Sequence, residues 1–140
     1  MNERVLLDTG PLVAFLDRRD RHHDWARSVW GRAAVPMLTC EAVLSEACFL
    51  LAGHPAAVRA IFDLVRRKVL RVPLQLENEM ESVARLMAKY ADVPMSLADA
   101  CLVRMAECRE GAAVFTVDSD FTRYRIHGRR VLPLISPRNA

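Results

Sequence analysis

The fold is indicated first by the stretch Val5-Leu6-Leu7-Asp8-Thr9-Gly10-Pro11, in which an apolar run ends in a carboxylate and a helix start follows at once. An apolar run without alternating polar residues is typical of a strand buried on both faces of a sheet. Pro11 stands where the first position of a helix accepts proline. The stretch therefore predicts a short buried strand over residues 5–8, with Asp8 at its carboxyl end and a helix immediately after it.

The same alternation of strand and helix continues along the chain. Further strands are predicted at residues 36–39, 69–72, 114–117 and 131–134. Apolar residues at helical spacing predict helices that cover residues 22–32, 40–51, 56–67, 76–90 and 97–107. Short apolar strands between amphipathic helices favour a three-layer α/β/α domain with a central parallel sheet and right-handed crossovers.

Length and hydropathy point to one domain. The chain has 140 residues, of which 52% are hydrophobic, so we expect a single domain over residues 1–140 with a frayed tail at about residues 136–140. The apolar stretch at residues 43–52 is interrupted by Ser45 and Glu46 and is shorter than the ~20 residues of a membrane span. Residues 1–4 lack the pattern of a secretory signal. These features favour a cytoplasmic protein with no membrane partner.

The cysteines and the arginine content each allow more than one interpretation. Four cysteines show no Cys-x-x-Cys spacing and lie in apolar helical patterns, which favours reduced core thiols over a zinc site or disulfides. The net charge is +3, and 18 of the 20 basic residues are arginine, the side chain whose planar fork suits phosphate oxygens. An arginine-rich, lysine-poor chain is equally typical of a GC-rich genome. Composition alone therefore does not establish a nucleic-acid partner.

Five carboxylates stand beside apolar segments rather than in polar surface patterns: Asp8, Glu46, Asp99, Asp118 and Asp120. Asp8 and Asp118 each follow a predicted strand, and open α/β sheets bind ligands outside the carboxyl ends of their strands. Two carboxylates ~4 Å apart repel by roughly 4 kcal/mol at an effective dielectric near 20. A cluster of this kind is stable when it binds a divalent cation or protons, and all-oxygen ligands favour magnesium or manganese over zinc. The pattern indicates a metal-dependent enzyme.

Taken singly, most of these acids also have structural explanations. Ser96-Leu97-Ala98-Asp99 fits a capping box, which for Asp99 alone is favoured over a ligand role. Asp118-Ser119-Asp120 is a common turn sequence, and Asp8 is placed to cap the first helix. Glu46 lies in mid-helix beyond the reach of capping, and a buried, unpaired glutamate needs a partner, so a ligand role is favoured there.

Four segments together resemble the PIN-domain ribonucleases, and within that family the VapC-type toxins of bacterial toxin–antitoxin pairs. They are Leu7-Asp8-Thr9-Gly10-Pro11, Leu44-Ser45-Glu46-Ala47, Pro94-Met95-Ser96-Leu97-Ala98-Asp99-Ala100 and Phe115-Thr116-Val117-Asp118-Ser119-Asp120-Phe121. The resemblance implies metal-binding, catalytic acids at Asp8, Glu46, Asp99 and Asp118. Asp120 is then a variable further ligand, and the polar residues in support are Thr9, Ser96 and Thr116.

The resemblance also implies an activity and partners. The expected reaction is hydrolysis of RNA phosphodiester bonds with one or two Mg²⁺ (or Mn²⁺) ions, leaving 5′-phosphate and 3′-hydroxyl ends. Asp8, Asp99 and Asp118 are expected to hold the metal or its water, whereas Glu46 binds a second metal or positions the nucleophile. The partners implied are an RNA substrate, a cognate antitoxin protein and a second copy of the chain in a homodimer.

Basic and aromatic residues add open alternatives. Two arginine groups follow the acidic segments and either contact RNA or are simply solvated: Arg18, Arg19 and Arg21, with His22 and His23 beside them, and Arg123 and Arg125, with Arg129 and Arg130 beyond them. Four aromatic residues either line an antitoxin groove or, as is favoured, belong to the core: Trp25, Trp30, Phe49 and Phe62.

Two other functions remain open at the level of sequence. A non-catalytic RNA-binding or protein-interaction module would keep the fold and use its acids structurally. A phosphoryl-transfer domain with an aspartyl nucleophile is less favoured, because no second aspartate stands close after Asp8.

Overall fold

The computed structural model describes residues 4–138 and has a five-stranded parallel sheet flanked by helices, a three-layer α/β/α domain. The strands are β1 (Val5–Leu7), β2 (Met37–Leu38), β3 (Leu70–Arg71), β4 (Ala113–Phe115), β5 (Arg125–Ile126), β6 (Arg130–Val131) and β7 (Leu134–Ile135). The helices are α1 (Thr9–Leu16), α2 (His23–Arg32), α3 (Glu41–Leu50), α4 (Pro55–Arg66), α5 (Leu76–Lys89) and α6 (Leu97–Cys108), with a 3₁₀ turn at Ser119–Thr122. The predicted fold class is confirmed.

The sheet order brings the two acid-bearing strands together. The strands follow the order β3-β2-β1-β4-β7, and every neighbouring pair is parallel. Leu7 of β1 lies opposite Phe115 of β4, and the Asp8 amide donates to the Phe115 carbonyl at 3.0 Å. The segments that follow β1 and β4 therefore leave the same edge of the sheet side by side.

A small antiparallel hairpin was not predicted from the sequence. β5 pairs with β6 across a tight turn in which His127 and Gly128 both have positive φ, 52° and 73°. The Arg129 amide donates to the Ile126 carbonyl at 3.0 Å, which closes the turn. Two positive-φ central residues are typical of the two-residue turns that match strand twist. Strands of two residues carry too little periodicity to be recognised, so the segment predicted as one strand at 131–134 divides between β6 and β7.

The core packs on both central strands. Phe115 of β4 is fully buried and meets the Trp25 ring edge-on, with a centroid distance of 5.2 Å. Trp30 stacks on Phe15 at 3.9 Å. Both tryptophans are thus packed against the core, as favoured. The core interpretation is wrong for Phe49 of α3 and Phe62 of α4, which are 79% and 47% exposed.

The cysteines and the chain ends give a mixed outcome. All four cysteines are free, and Cys40 and Cys101 are buried, but Cys108 is exposed at the end of α6, so the core prediction is wrong there.

Ser136 is buried beside β7, and the last two residues of the predicted frayed tail lie outside the described range. Residues 1–3, which belong to the stretch predicted to lack a secretory signal, lie outside the described range as well. Within residues 4–138, no helix combines the length and hydropathy that crossing a membrane requires.

Candidate active site

A cleft of about 350 Å³ opens at the carboxyl edge of the sheet, and all five acids singled out from the sequence line it. We call it the acidic cleft. Its carboxylates are Asp8, Glu46, Asp99, Asp118 and Asp120, and its other walls are Thr9, Gly10, Leu50, Pro94, Ser96 and Val117. Residues from α1, α3, α6 and the segments after β1 and β4 thus meet in one place.

Asp8 lies at the floor of the cleft and is only 6% exposed. Its Oδ1 accepts a hydrogen bond from the Thr9 amide at 2.8 Å, and its Oδ2 accepts one from the Thr116 hydroxyl at 2.6 Å. Burial raises the pKa of Asp8 to about 7, against the effect of these two hydrogen bonds and with a further contribution from the charges of Asp99 and Asp118. Asp8 therefore caps α1 and also contributes to the cleft a carboxyl group whose charged form is disfavoured.

Thr116 connects the two strand ends. Its hydroxyl oxygen donates to Asp8 and accepts a hydrogen bond from the Asp118 amide at 2.9 Å. Asp118 then caps the 3₁₀ turn, because its Oδ1 accepts from the Asp120 amide at 2.8 Å. Asp118 therefore forms the predicted turn and also lines the cleft.

Asp99 enters the cleft from the first turn of α6. Its amide donates to the Ser96 hydroxyl at 3.0 Å, which is the predicted helix cap, and its Oδ2 accepts from the Tyr124 hydroxyl at 2.7 Å. Burial raises the pKa of Asp99, the hydrogen bonds from Tyr124 and Ser96 oppose this, and the charge of Asp118 adds to it. The cap therefore leaves the carboxylate in the cleft.

Tyr124 is a site residue that sequence reasoning missed. It is fully buried, and a buried tyrosine hydroxyl normally finds a polar partner. Its position four residues beyond Asp120 was the available signal, since an aromatic residue with a hydroxyl follows the acidic turn. Without the fold, nothing in the sequence identifies Asp99 as its partner.

Glu46 differs from its expected surroundings. We expected it to be buried among apolar residues of α3, but its side chain is exposed, as are those of Phe49 and Leu50. The argument from burial is therefore wrong, because α3 carries apolar residues on its outer as well as its inner face. Glu46 still reaches the rim of the acidic cleft, where it faces solvent.

A glycine shapes the wall of the cleft next to Asp8. A Cβ atom at Gly10 would collide with Cγ2 of Val117, whose side chain lines the same cleft. The segments that follow β1 and β4 therefore approach so closely at Gly10 that a side chain there would require Val117 to move. This close approach keeps Asp8 beside the Thr116–Asp118 segment.

The first arginine group lies apart from the acids. Of the residues that the structure describes, the cleft lining includes none of the five arginines considered for RNA binding. Arg19 donates to the His54 ring at 2.7 Å and pairs with Asp17 at 3.5 Å. The Arg19 amide also donates to Asp17 at 3.0 Å, and this bond contributes most to the lowered pKa of Asp17. Arg21 donates to the His22 ring at 3.0 Å, and Arg18 is exposed.

The second arginine group lies closer to the acidic turn. Arg125 donates to the Thr122 carbonyl at 2.8 Å and to the Tyr124 carbonyl at 2.9 Å, so its guanidinium group caps local backbone. Arg123 is exposed, three residues beyond Asp120, and its guanidinium group has no ion pair among residues 4–138.

The residues of the cleft provide the oxygen atoms that a divalent cation binds, but their side chains are not positioned around a single ion. Across residues 4–138, no three His, Cys, Asp or Glu side chains stand in positions from which they could hold one metal ion. Asp8, Asp99 and Asp118 instead use their oxygens to accept protein hydrogen bonds. The Thr9 hydroxyl is buried at the cleft with no hydrogen-bond partner in this part of the chain. An all-oxygen set of this kind suits Mg²⁺ or Mn²⁺.

Comparison with known proteins gives a consistent assignment. The family model described as the PIN domain matches residues 5–126. A solved structure, that of the Mycobacterium tuberculosis toxin VapC20, described as cleaving the sarcin–ricin loop, superposes with a TM-score of 0.74. The two chains share 24% sequence identity, and the match covers 85% of this chain and 93% of VapC20. No curated protein sequence matches this chain.

Proposed function

The chain belongs to the PIN domain family, and from this membership we propose that it is a metal-dependent endoribonuclease whose active site is the acidic cleft. The observation that carries the proposal is the joining of Asp8 and Asp118 through one Thr116 hydroxyl, in a cleft that also receives Asp99 and Glu46. None of these four acids forms an ion pair with a basic side chain among the described residues. No basic side chain in the described part of the chain offsets the repulsion between these acids, so a bound cation would relieve it.

The proposed chemistry assigns a role to each side chain. One or two bound Mg²⁺ or Mn²⁺ ions would supply a Lewis acid that lowers the pKa of a water and stabilises charge on the leaving oxygen. Asp8, Asp99 and Asp118 hold the cation through carboxylate oxygens. Glu46, at the solvent-facing rim, either holds a second ion or orients the attacking water, and Asp120 is a further oxygen donor beside Asp118.

The threonine and serine side chains support these acids. Thr116 fixes the Asp8 carboxylate and the Asp118 backbone, and Ser96 fixes the start of α6 below Asp99. Thr9 offers its free hydroxyl to the cleft. Hydrogen bonds of this kind orient metal ligands before the metal arrives, so they contribute to affinity without touching the substrate.

The likeness to VapC20 supports a narrower proposal, that the protein is the toxin of a toxin–antitoxin pair and acts on RNA in the cytoplasm. Such a toxin needs an inhibitor. An exposed apolar strip suits one: it consists of Phe49 and Leu50 on α3 and Phe62 on α4, two helices that contact each other, and Leu50 also lines the acidic cleft. An antitoxin segment on this strip would reach the mouth of the cleft. We propose a homodimer as well, with no surface assigned to it.

The antitoxin surface has a simple test. Phe49→Ser should weaken binding of the cognate antitoxin while leaving RNA cleavage by the free protein unchanged, because the side chain is 79% exposed. Val35→Ser, at another exposed apolar residue, is the matched control and should bind the antitoxin normally. Equal antitoxin affinity for the wild type and Phe49→Ser would remove this strip from the interface.

The nuclease proposal is tested by mapping RNA 5′ ends in cells that express the wild type or Asp8→Asn. The wild type should create new 5′-phosphate ends at a few positions, and Asp8→Asn should create none while remaining folded. Identical ends from both proteins would reject the acidic cleft as the active site. Binding of RNA without any cleavage by the wild type would instead favour a non-catalytic module.

A further inference from the structure

We propose that Tyr124 is the positioning residue for Asp99, holding its carboxylate in the orientation that binds the divalent cation. The inference rests on the proposed function, because it concerns the same metal site. Tyr124 donates from its hydroxyl to Oδ2 of Asp99 at 2.7 Å, and both side chains are buried. A hydrogen bond between a hydroxyl group and a carboxylate is short and strong, and it restricts rotation of the carboxylate plane.

The tyrosine ring is itself held in place on two sides. Phe121 meets it edge-on at a centroid distance of 5.2 Å, and Tyr90 does so at 5.0 Å. The Tyr90 hydroxyl itself accepts a hydrogen bond from the Arg125 amide at 3.1 Å, so only the Tyr90 ring contacts Tyr124. With no exposed surface, the Tyr124 hydroxyl has no water to turn towards. Its partner is therefore the Asp99 carboxylate.

Tyr124 orients the carboxylate of Asp99, as other groups orient those of Asp8 and Asp118. Asp8 is oriented by Thr116 from the end of β4, and Asp118 is oriented through its own turn. Asp99 stands on α6, where Ser96 caps the helix and also hydrogen-bonds to the Asp99 carboxyl group, and Tyr124 adds a partner on Oδ2. Tyr124 fixes one carboxyl oxygen and so limits the directions that the other can take. Removing an outer partner of a metal ligand typically costs ~10- to 100-fold in metal affinity.

The decisive experiment compares Mn²⁺ binding by calorimetry for the wild type, Tyr124→Phe, Tyr90→Phe and Asp99→Asn. Tyr124→Phe keeps the ring and removes only the hydroxyl, and it should raise the Mn²⁺ Kd by ~10-fold. Tyr90→Phe makes the same chemical change one ring away from Asp99 and should leave the Kd within about twofold of the wild type, since that hydroxyl contacts no cleft acid. An unchanged Kd for Tyr124→Phe, or an equal loss in Tyr90→Phe, would overturn the inference.

The same measurements separate this inference from the proposed function. Equal Mn²⁺ binding by the wild type and Asp99→Asn would contradict the metal site as a whole. A weakened Asp99→Asn beside an unaffected Tyr124→Phe would overturn the role of Tyr124 alone. In the double variant Asp99→Asn/Tyr124→Phe, the loss should be no greater than in Asp99→Asn, because Tyr124 acts through Asp99. An additional tenfold loss in the double variant would mean that Tyr124 affects the site by another route.

A measurement on the wild type keeps the inference testable if Tyr124→Phe does not fold. The chain has two tyrosines, so labelling their Cζ carbons gives two NMR signals, and Tyr90→Phe identifies which belongs to Tyr124. Addition of Mg²⁺ should shift the Tyr124 signal, because its hydroxyl is bonded to a ligand, and should leave the Tyr90 signal in place. Saturation with Mg²⁺ that leaves the Tyr124 signal unmoved would contradict the inference.

Discussion

The Thr116 hydroxyl lies 2.6 Å from Oδ2 of Asp8 and donates a hydrogen bond to it between two strands that are 108 residues apart in sequence. The same oxygen accepts from the Asp118 amide at 2.9 Å. One side chain thereby fixes the acid that ends β1 against the backbone that carries the acid after β4. The parallel pairing of β1 with β4 makes this contact possible, so the sheet register and the geometry of the cleft depend on each other.

Replacing Thr116 should therefore weaken metal binding and stability together. Thr116→Val preserves shape but leaves the Asp118 amide without its acceptor and Oδ2 of Asp8 without its donor. We expect ~10-fold weaker Mn²⁺ binding and a loss of ~1–3 kcal/mol in the free energy of unfolding. Thr116→Ser retains the hydroxyl and should stay close to the wild type in calorimetry. Metal binding by Thr116→Val equal to that of Thr116→Ser would refute the bridging role.

The raised pKa of Asp8 predicts an unusual pH dependence of stability in metal-free buffer. The pKa of Asp8 is about 7 in the native state against the ordinary 3.8 of the unfolded chain, so between these pH values the native protein keeps a proton that the unfolded chain has released. The contribution of Asp8 to the free energy of unfolding therefore falls as pH rises from about 4 to about 7 and is level above that.

Asp8→Asn removes this contribution, because asparagine does not ionise. The difference in the free energy of unfolding between Asp8→Asn and the wild type should shift in favour of the variant by roughly 2 kcal/mol from pH 4.5 to pH 8. This is about half of what the whole pKa shift of Asp8 would contribute. Urea denaturation at both pH values measures it, with Asp24→Asn, at an exposed carboxyl on α2, as the control. A difference between Asp8→Asn and the wild type that does not change with pH would contradict the raised pKa.

Glu46 should affect activity without affecting folding. Its side chain is exposed on α3, so Glu46→Gln should change the free energy of unfolding by no more than about 0.5 kcal/mol. Loss of a carboxylate that holds a second ion or orients water should slow RNA cleavage by roughly 100- to 10,000-fold. Glu41→Gln is the matched control, since Glu41 is exposed on the same helix outside the cleft. Cleavage at the same rate by both variants would remove Glu46 from the mechanism.

The arginines should divide into RNA contacts and structural groups. Arg123 is exposed, and no partner for its guanidinium group lies in residues 4–138, so Arg123→Ala should weaken RNA binding and reduce the slope of log K against log salt by roughly 0.7. Arg19 is engaged by Asp17 and His54, so Arg19→Ala should leave the slope unchanged. Binding titrations from 50 to 200 mM salt distinguish the two, and a reduced slope in Arg19→Ala alone would reverse this assignment.

The sequence predicted those parts of the site that depend on strand ends. Asp8 follows an uninterrupted apolar run, and Asp118 follows one that only Thr116 interrupts. Parallel strands place their carboxyl ends at one edge, so the meeting of the two acids followed from pattern and topology. Ser96 and Asp99 carried the signature of a helix cap, which fixed where α6 begins. These features are local, and local signals survive in a single sequence.

The remaining features depend on contacts between distant segments. The partnership of Tyr124 with Asp99 requires the β5 segment to fold back on α6, and two-residue strands leave no periodic signal for that. Glu46 was expected inside because α3 has apolar residues around most of its circumference, so its pattern does not show which face meets the core. Phe49 and Leu50 proved to lie on the outer face.

The central claim, that the acids of the cleft gather around a divalent cation, is tested most directly by a crystal structure of the wild type soaked in Mn²⁺ and measured for anomalous scattering. We predict an anomalous peak in the acidic cleft coordinated by oxygens of Asp8, Asp99 and Asp118. Crystals soaked at a Mn²⁺ concentration that supports RNA cleavage, yet with no peak between these carboxylates, would contradict the account.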